Sequence, residues 1–391
     1  MATTLRLYEQ DAMLRRFRAT VLACTPADSG YWVELDRTAF FPEGGGQPCD
    51  TGMLGGLAVD AVRLRGGAVQ HHTPAPLDPG AEVEGEVDDA RRLDAMQQHT
   101  GEHILSGVLH RMYGANNVGF HIGQPAVRMD MDLPLTADQL AAAEAAANAA
   151  VRANTPVHCY TPDAETLAHT EYRSKKALEG PVRLVEAGGD LCACCGTHLR
   201  TTGEVGCIKI LSAMKYKGGV RLAVACGARA ADAIADVWAD AEAAGRTLSS
   251  APGHLAEAAA HACAAQEQDK MRLAALQHTL ADTLAATAAP GEPAVWQLPG
   301  MDADGLRLAC VRTAQATGAL CAAFAPGGQG LAYALCLPGG DARPLCRALN
   351  AQFAGRGGGK GEFCQGSVPE TPFDALKDFI LAWHGPAGAA H

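Results

Sequence analysis

The sequence predicts an α+β protein of successive modules: a β-rich, barrel-like region, an α/β region, a pair of helices, and a second α/β module. Three observations carry this. Short alternating apolar runs between glycine and proline turns fill the first 90 residues. From Asp88 onward, apolar positions at helical spacing and long alanine-rich stretches take over. The run Ala289-Pro290-Gly291-Glu292-Pro293 then breaks the helical pattern before strand-like and helix-like runs alternate. These breaks place boundaries at 1–90, 91–228, 229–290 and 291–391, in keeping with two or three domains for 391 residues.

Composition narrows the class. With 48% hydrophobic and 19% charged residues, a sizeable core is available and wholesale disorder is excluded. No apolar run approaches the roughly 18 residues of a membrane span, so no membrane partner is expected. The start, MATTLRLYEQDAMLRRF, carries no apolar stretch after its charges, so no secretory signal is expected. Fourteen cysteines are too sparse for a disulfide scaffold, and most sit singly in apolar contexts, so a cytoplasmic, reducing location is expected. The net charge of −11 argues against non-specific coating of nucleic acid.

In chain order, RATVLACTPADSGYWVELDRTAFF reads as strands around a turn at Ser29-Gly30. PEGGGQPCDTG is a loop, and strands follow near Ala58–Leu64 and Ala68–His71. A helix capped by Asp94 runs to about Tyr113 and ends at Gly114, with Ile104, Leu105, Val108, Leu109 and Met112 as its apolar face. VGFHIGQPAVRMDMDL reads as a hairpin, and LTADQLAAAEAAANAAVRAN as a helix capped by Thr136. Shorter β and turn elements fill 157–228. Residues 229–288 read as a close-packed antiparallel helix pair broken at Ala251-Pro252-Gly253. Beyond 294, LRLACVR, ALCAAFA and LAYALCL read as strands, and Arg343–Phe353 and Phe373–Trp383 as helices.

The sharpest chemical signal is QQHTGEHILS, residues 97–106. His99 and His103 lie four apart on a predicted helix, so they project from one face and can ligate one metal ion. A second signal is GGDLCACCGTHLRTTGEVG, residues 188–206, where Cys194 and His198 are also four apart around Gly196. Three histidines and one thiolate make a borderline-soft set suited to tetrahedral Zn2+. Cys192 and Cys195 are nearby thiols that compete for the site, and a structural or redox knuckle is the plainer alternative.

These motifs together resemble the alanyl-tRNA editing family, the editing domain of alanyl-tRNA synthetase and its free-standing AlaX relatives. DRTAFFPEGGGQPCDTG resembles the family's N-terminal loop, and GRGGGKGEFCQGS, residues 355–367, resembles the glycine-rich segment of the DHHA1 module. The arrangement is similar to the long form of AlaX. The resemblance implies a zinc editing domain over 91–228 and a DHHA1-like module over 291–391. It carries metal ligation to His99, His103, Cys194 and His198. It departs at Cys195, where the family has the first glycine of CGGTH. The implied activity is trans-editing: zinc-dependent hydrolysis of the ester joining a wrong amino acid, chiefly serine and also glycine, to tRNA(Ala). With no room for a synthetase catalytic domain before residue 90, deacylation without aminoacylation is expected. A homodimer is expected from the resemblance and the alanine-rich helices.

Further site candidates follow. Gly44, Gly45 and Gly46 offer unobstructed backbone N–H groups to a phosphate, carbonyl or ribose. Thr38 and Gln47 are candidate polar contacts, with Thr38 a candidate for telling serine from alanine. His121 is a candidate proton carrier, and Glu102 a candidate base. Residues 172–229 hold ten Lys and Arg against four Asp and Glu, with Lys175, Lys176 and Arg200 as candidate tRNA contacts. Arg356 and Lys360 in the C-terminal glycine run are further candidates. Two rival readings stand beside this one. His99-Thr100-Gly101-Glu102-His103 also fits the H-x-x-E-H metallopeptidase pattern, with Glu179 a distant third ligand. A non-catalytic zinc module that binds tRNA is the other.

Overall fold

The computed structural model describes residues 4–174, 181–328 and 330–384. They divide into two compact units, Met1–Ala243 and Ala244–His391. The architecture is mixed α and β, with nine α-helices and five sheets among the described residues. No described helix is long and apolar enough to cross a membrane.

The first unit opens with β1 (Leu5–Arg6), α1 (Leu7–Gln10), β2 (Arg16–Pro26), β3 (Tyr31–Leu35) and β4 (Arg37–Thr38). It continues with β5 (Gly52–Leu54), β6 (Leu57–Val59), β7 (Ala61–Arg65), β8 (Ala68–Thr73) and β9 (Glu82–Val87). Seven of these form one sheet in the order β6-β5-β9-β2-β3-β8-β7. Its two edges, β6 and β7, are consecutive in the chain and joined through Asp60 alone, so the sheet must curl on itself into a nearly closed barrel. Strand β9 shows the period: Val83, Gly85 and Val87 are buried, while Glu84 and Glu86 face out to Arg18 and Arg16 on β2. Phe17, Val33, Leu35, Phe40, Leu54 and Val69 fill the interior.

One polar network is sealed inside this barrel. His71 is fully buried, its Nδ1–H donates to Val33 O at 3.0 Å, and its Nε2 accepts from Thr38 Oγ1 at 2.8 Å. Burial disfavours the imidazolium and pushes the pKa down to about 4, although the Val33 carbonyl pulls the other way. The unfolded chain therefore takes up a proton near pH 6.5 that the folded chain refuses until about pH 4. Stability from this group is complete above pH 6.5 and falls as pH drops towards 4, by about 3 kcal/mol in all. Urea unfolding of His71→Asn is expected to show a flatter pH dependence than the parent across that window; an unchanged slope would refute the assignment.

Helix α2 (Asp89–Tyr113) follows, then the hairpin β10 (Asn117–Ile122) and β11 (Val127–Met131), and α3 (Ala137–Ala153). The N-cap of α2 is Asp88, whose side chain accepts from Arg91 N; Asp94, expected as the cap, lies inside the helix and pairs with Arg229. Gly114, at φ 70°, ends the helix in the left-handed conformation. Thr136 caps α3, with Gln139 closing the capping box. Then come β12 (His158–Tyr160), α4 (Ala164–Ala168), β13 (Leu184–Ala187), β14 (Asp190–Ala193), β15 (Ile208–Tyr216) and β16 (Gly219–Cys226). A four-stranded sheet in the order β10-β11-β16-β15 packs its apolar face on α2 and α3, where Met96, Leu105, Leu109, Met129 and Leu222 form the core. Gln98 ties helix to sheet, donating to Cys226 O and accepting from Cys226 N, both at 2.8 Å. A small sheet, β12-β13-β14, completes this part.

Helix α5 (Ala228–Leu248) crosses the division between the units. The second unit holds α6 (Leu255–Thr287), β17 (Ala294–Gln297), α7 (Ala303–Thr317), β18 (Cys321–Gly327) and β19 (Gly330–Cys336). It ends with α8 (Arg343–Gln352), β20 (Arg356–Lys360), β21 (Phe363–Pro369) and α9 (Phe373–Leu381). Helix α6 packs along α7. LRLACVR is a correction, because it is part of α7 and not a strand. Leu306, Ala309, Cys310, Thr313, Ala314 and Thr317 are buried at helical spacing, Asp302 caps the start, and Gly318 ends it. The sheet order is β17-β18-β19-β21-β20, and the glycine-rich run 355–367 forms its exposed edge hairpin.

Candidate metal centre

The centre is built from two distant segments. His99 and His103 project from one face of α2, in a stretch where every residue from Gln98 to Leu109 is buried. Cys194 and His198 lie just after β14. The four offer ligand atoms that all lie within 4.8 Å of one another. Cys194 Sγ sits 3.3 Å from His99 Nε2 and 3.4 Å from His198 Nε2. Ligand atoms around a tetrahedral ion at zinc bond lengths are about 3.5 Å apart, so this spacing suits such an ion. The three imidazoles gather with centroids 4.6 to 5.3 Å apart.

The surroundings select which ring nitrogen faces the centre. Gln47 Oε1 accepts from His99 Nδ1–H at 2.8 Å and from Thr197 N at 3.1 Å, while Gln47 Nε2 donates to Thr197 Oγ1. Thr100 Oγ1 bonds His198 Nδ1 at 3.3 Å and accepts from Leu199 N. His99 thus carries its proton on Nδ1, and both rings turn Nε2 towards Cys194. Gly196 N–H points at Cys194 Sγ at 3.3 Å, a contact that favours the thiolate. Gly196 is needed for space: a Cβ there would lie 2.1 Å from His99 Cε1. These donors and their tautomers fit a four-coordinate metal ion.

The centre opens on a cavity of about 500 Å³, whose wall includes Gly45, Gly46, Phe120, Arg183 and Cys195 as well as His99, His103 and Cys194. Gly45 and Gly46 adopt left-handed φ of 61° and 86°, and a Cβ on Gly46 would lie 2.6 Å from Phe120 O. Gly44 instead closes the turn with Gln47 through paired backbone hydrogen bonds. Phe120 stacks on His99 at 5.0 Å.

Other expected residues fall elsewhere. Thr38 does not line the cavity; it is buried in the barrel against His71. His121 follows Phe120 on β10, so strand alternation turns it away, and it is exposed and outside the cavity wall. Glu102 is buried beside the centre, 4.0 Å from His103 Nε2, and accepts from Asn117 Nδ2. Cys195 is exposed and outside the four-donor set, whereas buried Cys192 forms a second cluster with His103 and Asp190. Lys175, Lys176 and Glu179 lie outside the described residues. Arg356 and Lys360 are exposed on β20 in the second unit.

The basic count of 172–229 overstates its free charge, because acids from other segments, and Asp190 from within it, pair with its bases. Arg173 pairs with Asp190, Arg200 with Asp11, Lys209 with Glu144, Arg221 with Asp130, and Arg229 with Asp94. The sequence reading missed Thr100, Thr197, Asn117, Phe120 and Arg183. Thr100 and Thr197 each sit beside a ligand histidine, which is a usable signal; Asn117 and Arg183 carry none.

A family model described as the Threonyl and Alanyl tRNA synthetase second additional domain matches residues 182–222. Alanyl-tRNA editing protein Aarsd1 of Mus musculus is 34% identical over 229 residues, 54% of this chain and 56% of its own length. The chain is AlaX-like, similar to the alanyl-tRNA editing proteins over about half of its length. Alanine–tRNA ligases are similar over nearly the whole of this chain. That of Halobacterium salinarum is 33% identical across 93% of the chain, and that of Pyrobaculum neutrophilum 33% across 96%. The chain spans about half the length of the curated relatives it matches.

Gln47→Ala is expected to weaken metal binding about tenfold to a hundredfold in a chelator competition, because His99 loses its Nδ1 acceptor. Gln47→Glu keeps that acceptor and should lose less. Equal affinity in Gln47→Ala and the parent would show that the amide does not orient the ring.

Proposed function

We propose that this protein is a trans-editing hydrolase that deacylates mischarged tRNA(Ala), chiefly seryl and also glycyl esters, at a Zn2+ ion held by His99, His103, Cys194 and His198. The observation that carries the reading is the meeting of two donor pairs, with Cys194 and His99 95 residues apart, in the wall of an open cavity. The family's editing role supports tRNA(Ala) as partner and translation fidelity as purpose.

The chain's own groups have definable tasks. Gln47 holds the His99 ring in one tautomer, and Thr100 orients the His198 ring. The small residues Gly45 and Gly46 leave the cavity wall open to a ribose or ester. Phe120 presents an aromatic face beside His99 and limits water there. Zinc, when bound, supplies Lewis acidity beside the ester carbonyl. The C-terminal unit is the DHHA1-like module of this proposal. A metallopeptidase reading would use the histidine pair and Glu102 but leave Cys194 and His198 without a role.

The test is release of serine from Ser-tRNA(Ala), with Ala-tRNA(Ala) as control, by the zinc-loaded protein. Release of serine well above the uncatalysed rate, with alanine retained, is the expected result. Release from neither substrate while zinc stays bound would overturn the hydrolase in favour of a binding module.

A further inference from the structure

Among the described residues, Arg183 is the sole Lys or Arg in the wall of the cavity. Its Nη1 donates to Cys194 O and to Gly196 O, both at 3.0 Å, and its own carbonyl accepts from Cys194 N. The guanidinium is therefore held in one plane by the same turn that presents the Cys194 thiol. One nitrogen serves both carbonyls and the side chain also bonds the Cys159 thiol, yet a planar fork with five N–H donors keeps a donor for another acceptor.

Arg183 also differs from its neighbours in charge. Arg173, Arg200, Lys209, Arg221 and Arg229 each have a carboxylate partner. Arg183 is half-buried and has no carboxylate within ion-pair distance among the described residues. A partly desolvated cation beside a cavity, with no carboxylate partner among the described residues, is suited to an anionic ligand. An aminoacyl ester has no free carboxylate, so the anion available on such a substrate is the phosphate of its nucleotide.

We propose that Arg183 is the phosphate anchor of this cavity: it seats the 5′-phosphate of the terminal aminoacylated nucleoside while the ester reaches the metal centre. This rests on the editing reading for the identity of the substrate. Arg183 sets the affinity for the nucleotide and takes no part in breaking the ester bond.

The test is binding, which needs no turnover. Two non-hydrolysable ligands, 3′-serylamido-adenosine with and without a 5′-phosphate, are titrated into zinc-loaded parent, Arg183→Gln and Arg183→Lys. The parent is expected to bind the phosphorylated ligand about tenfold to a hundredfold more tightly. Arg183→Gln should erase that difference with unchanged affinity for the phosphate-free ligand and unchanged zinc content, and Arg183→Lys should restore part of it. Against Ser-tRNA(Ala), Arg183→Gln should act mainly by raising KM. A phosphate preference that survives Arg183→Gln, or none in the parent, overturns the proposal. Loss of zinc from both variants also overturns it, since Arg183 would then serve only to hold the ligand turn. If the parent hydrolyses no seryl ester but shows the Arg183-dependent phosphate preference, the hydrolase reading falls and the anchor stands.

Discussion

Cys194→Ala is expected to lower zinc affinity by at least about a hundredfold and deacylation by a similar factor. Cys194 provides the one anionic donor of the four, and its sulfur lies 3.3 and 3.4 Å from two imidazole nitrogens. Alanine leaves three neutral rings, without the charge that binds a divalent ion most strongly. Zinc content after dialysis and kcat/KM on Ser-tRNA(Ala) are the two readouts. Cys195→Ala is the control, because Cys195 is exposed and outside the donor set, and it should retain metal and activity. Full metal content in Cys194→Ala, or its loss in Cys195→Ala, would move the ligand assignment to the neighbouring thiol.

The second large effect is expected far from the chemistry. Arg92 is fully buried on α2 and meets buried Asp50, with Nε 2.9 Å from Oδ1 and Nη2 on Oδ2. It also donates to Ala39 O and Ala12 O. Asp50 in turn accepts from Phe41 N, so one ion pair fastens the loop carrying Gln47 to the helix carrying His99. Arg92→Met would strand a buried carboxylate, a defect that typically costs about 3–5 kcal/mol. Urea unfolding should show a loss of that order, and Arg92→Met with Asp50→Leu should recover much of it, because the stranded charge is gone. A loss below about 1 kcal/mol in Arg92→Met would show that the pair has little structural weight.

Local periodicity was the readable layer. Helices α2 and α3 were legible because an apolar stripe at 3.6-residue spacing, with the Gly114 stop of α2 and the Thr136 cap of α3, is a property of one short segment. The hairpin β10–β11 was legible from alternation and its central Gly-Gln-Pro turn. The helix α7 was not, because in LRLACVR an alternating apolar run and a helical stripe coincide over seven residues; the deciding cap and stop lie outside the run. Asp94 has the right type for a cap, but Asp88 lies where the chain turns from β9, and Arg229 claims Asp94.

The candidate site divides along the same line. The two i, i+4 pairs were visible because helix and tight-turn geometry make such spacings meaningful within five residues. Their convergence is a tertiary fact, and so are the roles beside it. Gln47 serves as the orienter of His99, Thr38 as the partner of His71, and Phe120, one position before His121, faces the centre. A strand's alternation can be counted from sequence, but which side of it meets the metal depends on the sheet packed against α2. Charge behaved likewise: the surplus of 172–229 is real as composition, yet Glu144, Asp130, Asp94 and Asp11 neutralise much of it from other segments.

By itself, then, the sequence determined the element types with clear periods and the donor chemistry of four residues, because dihedral preference and ligand identity are local. Only the tertiary structure decided which donors meet, which nitrogen His99 presents, and which arginine lies in the cavity wall. Those depend on contacts between residues tens to more than a hundred positions apart, and such contacts leave no trace in local spacing.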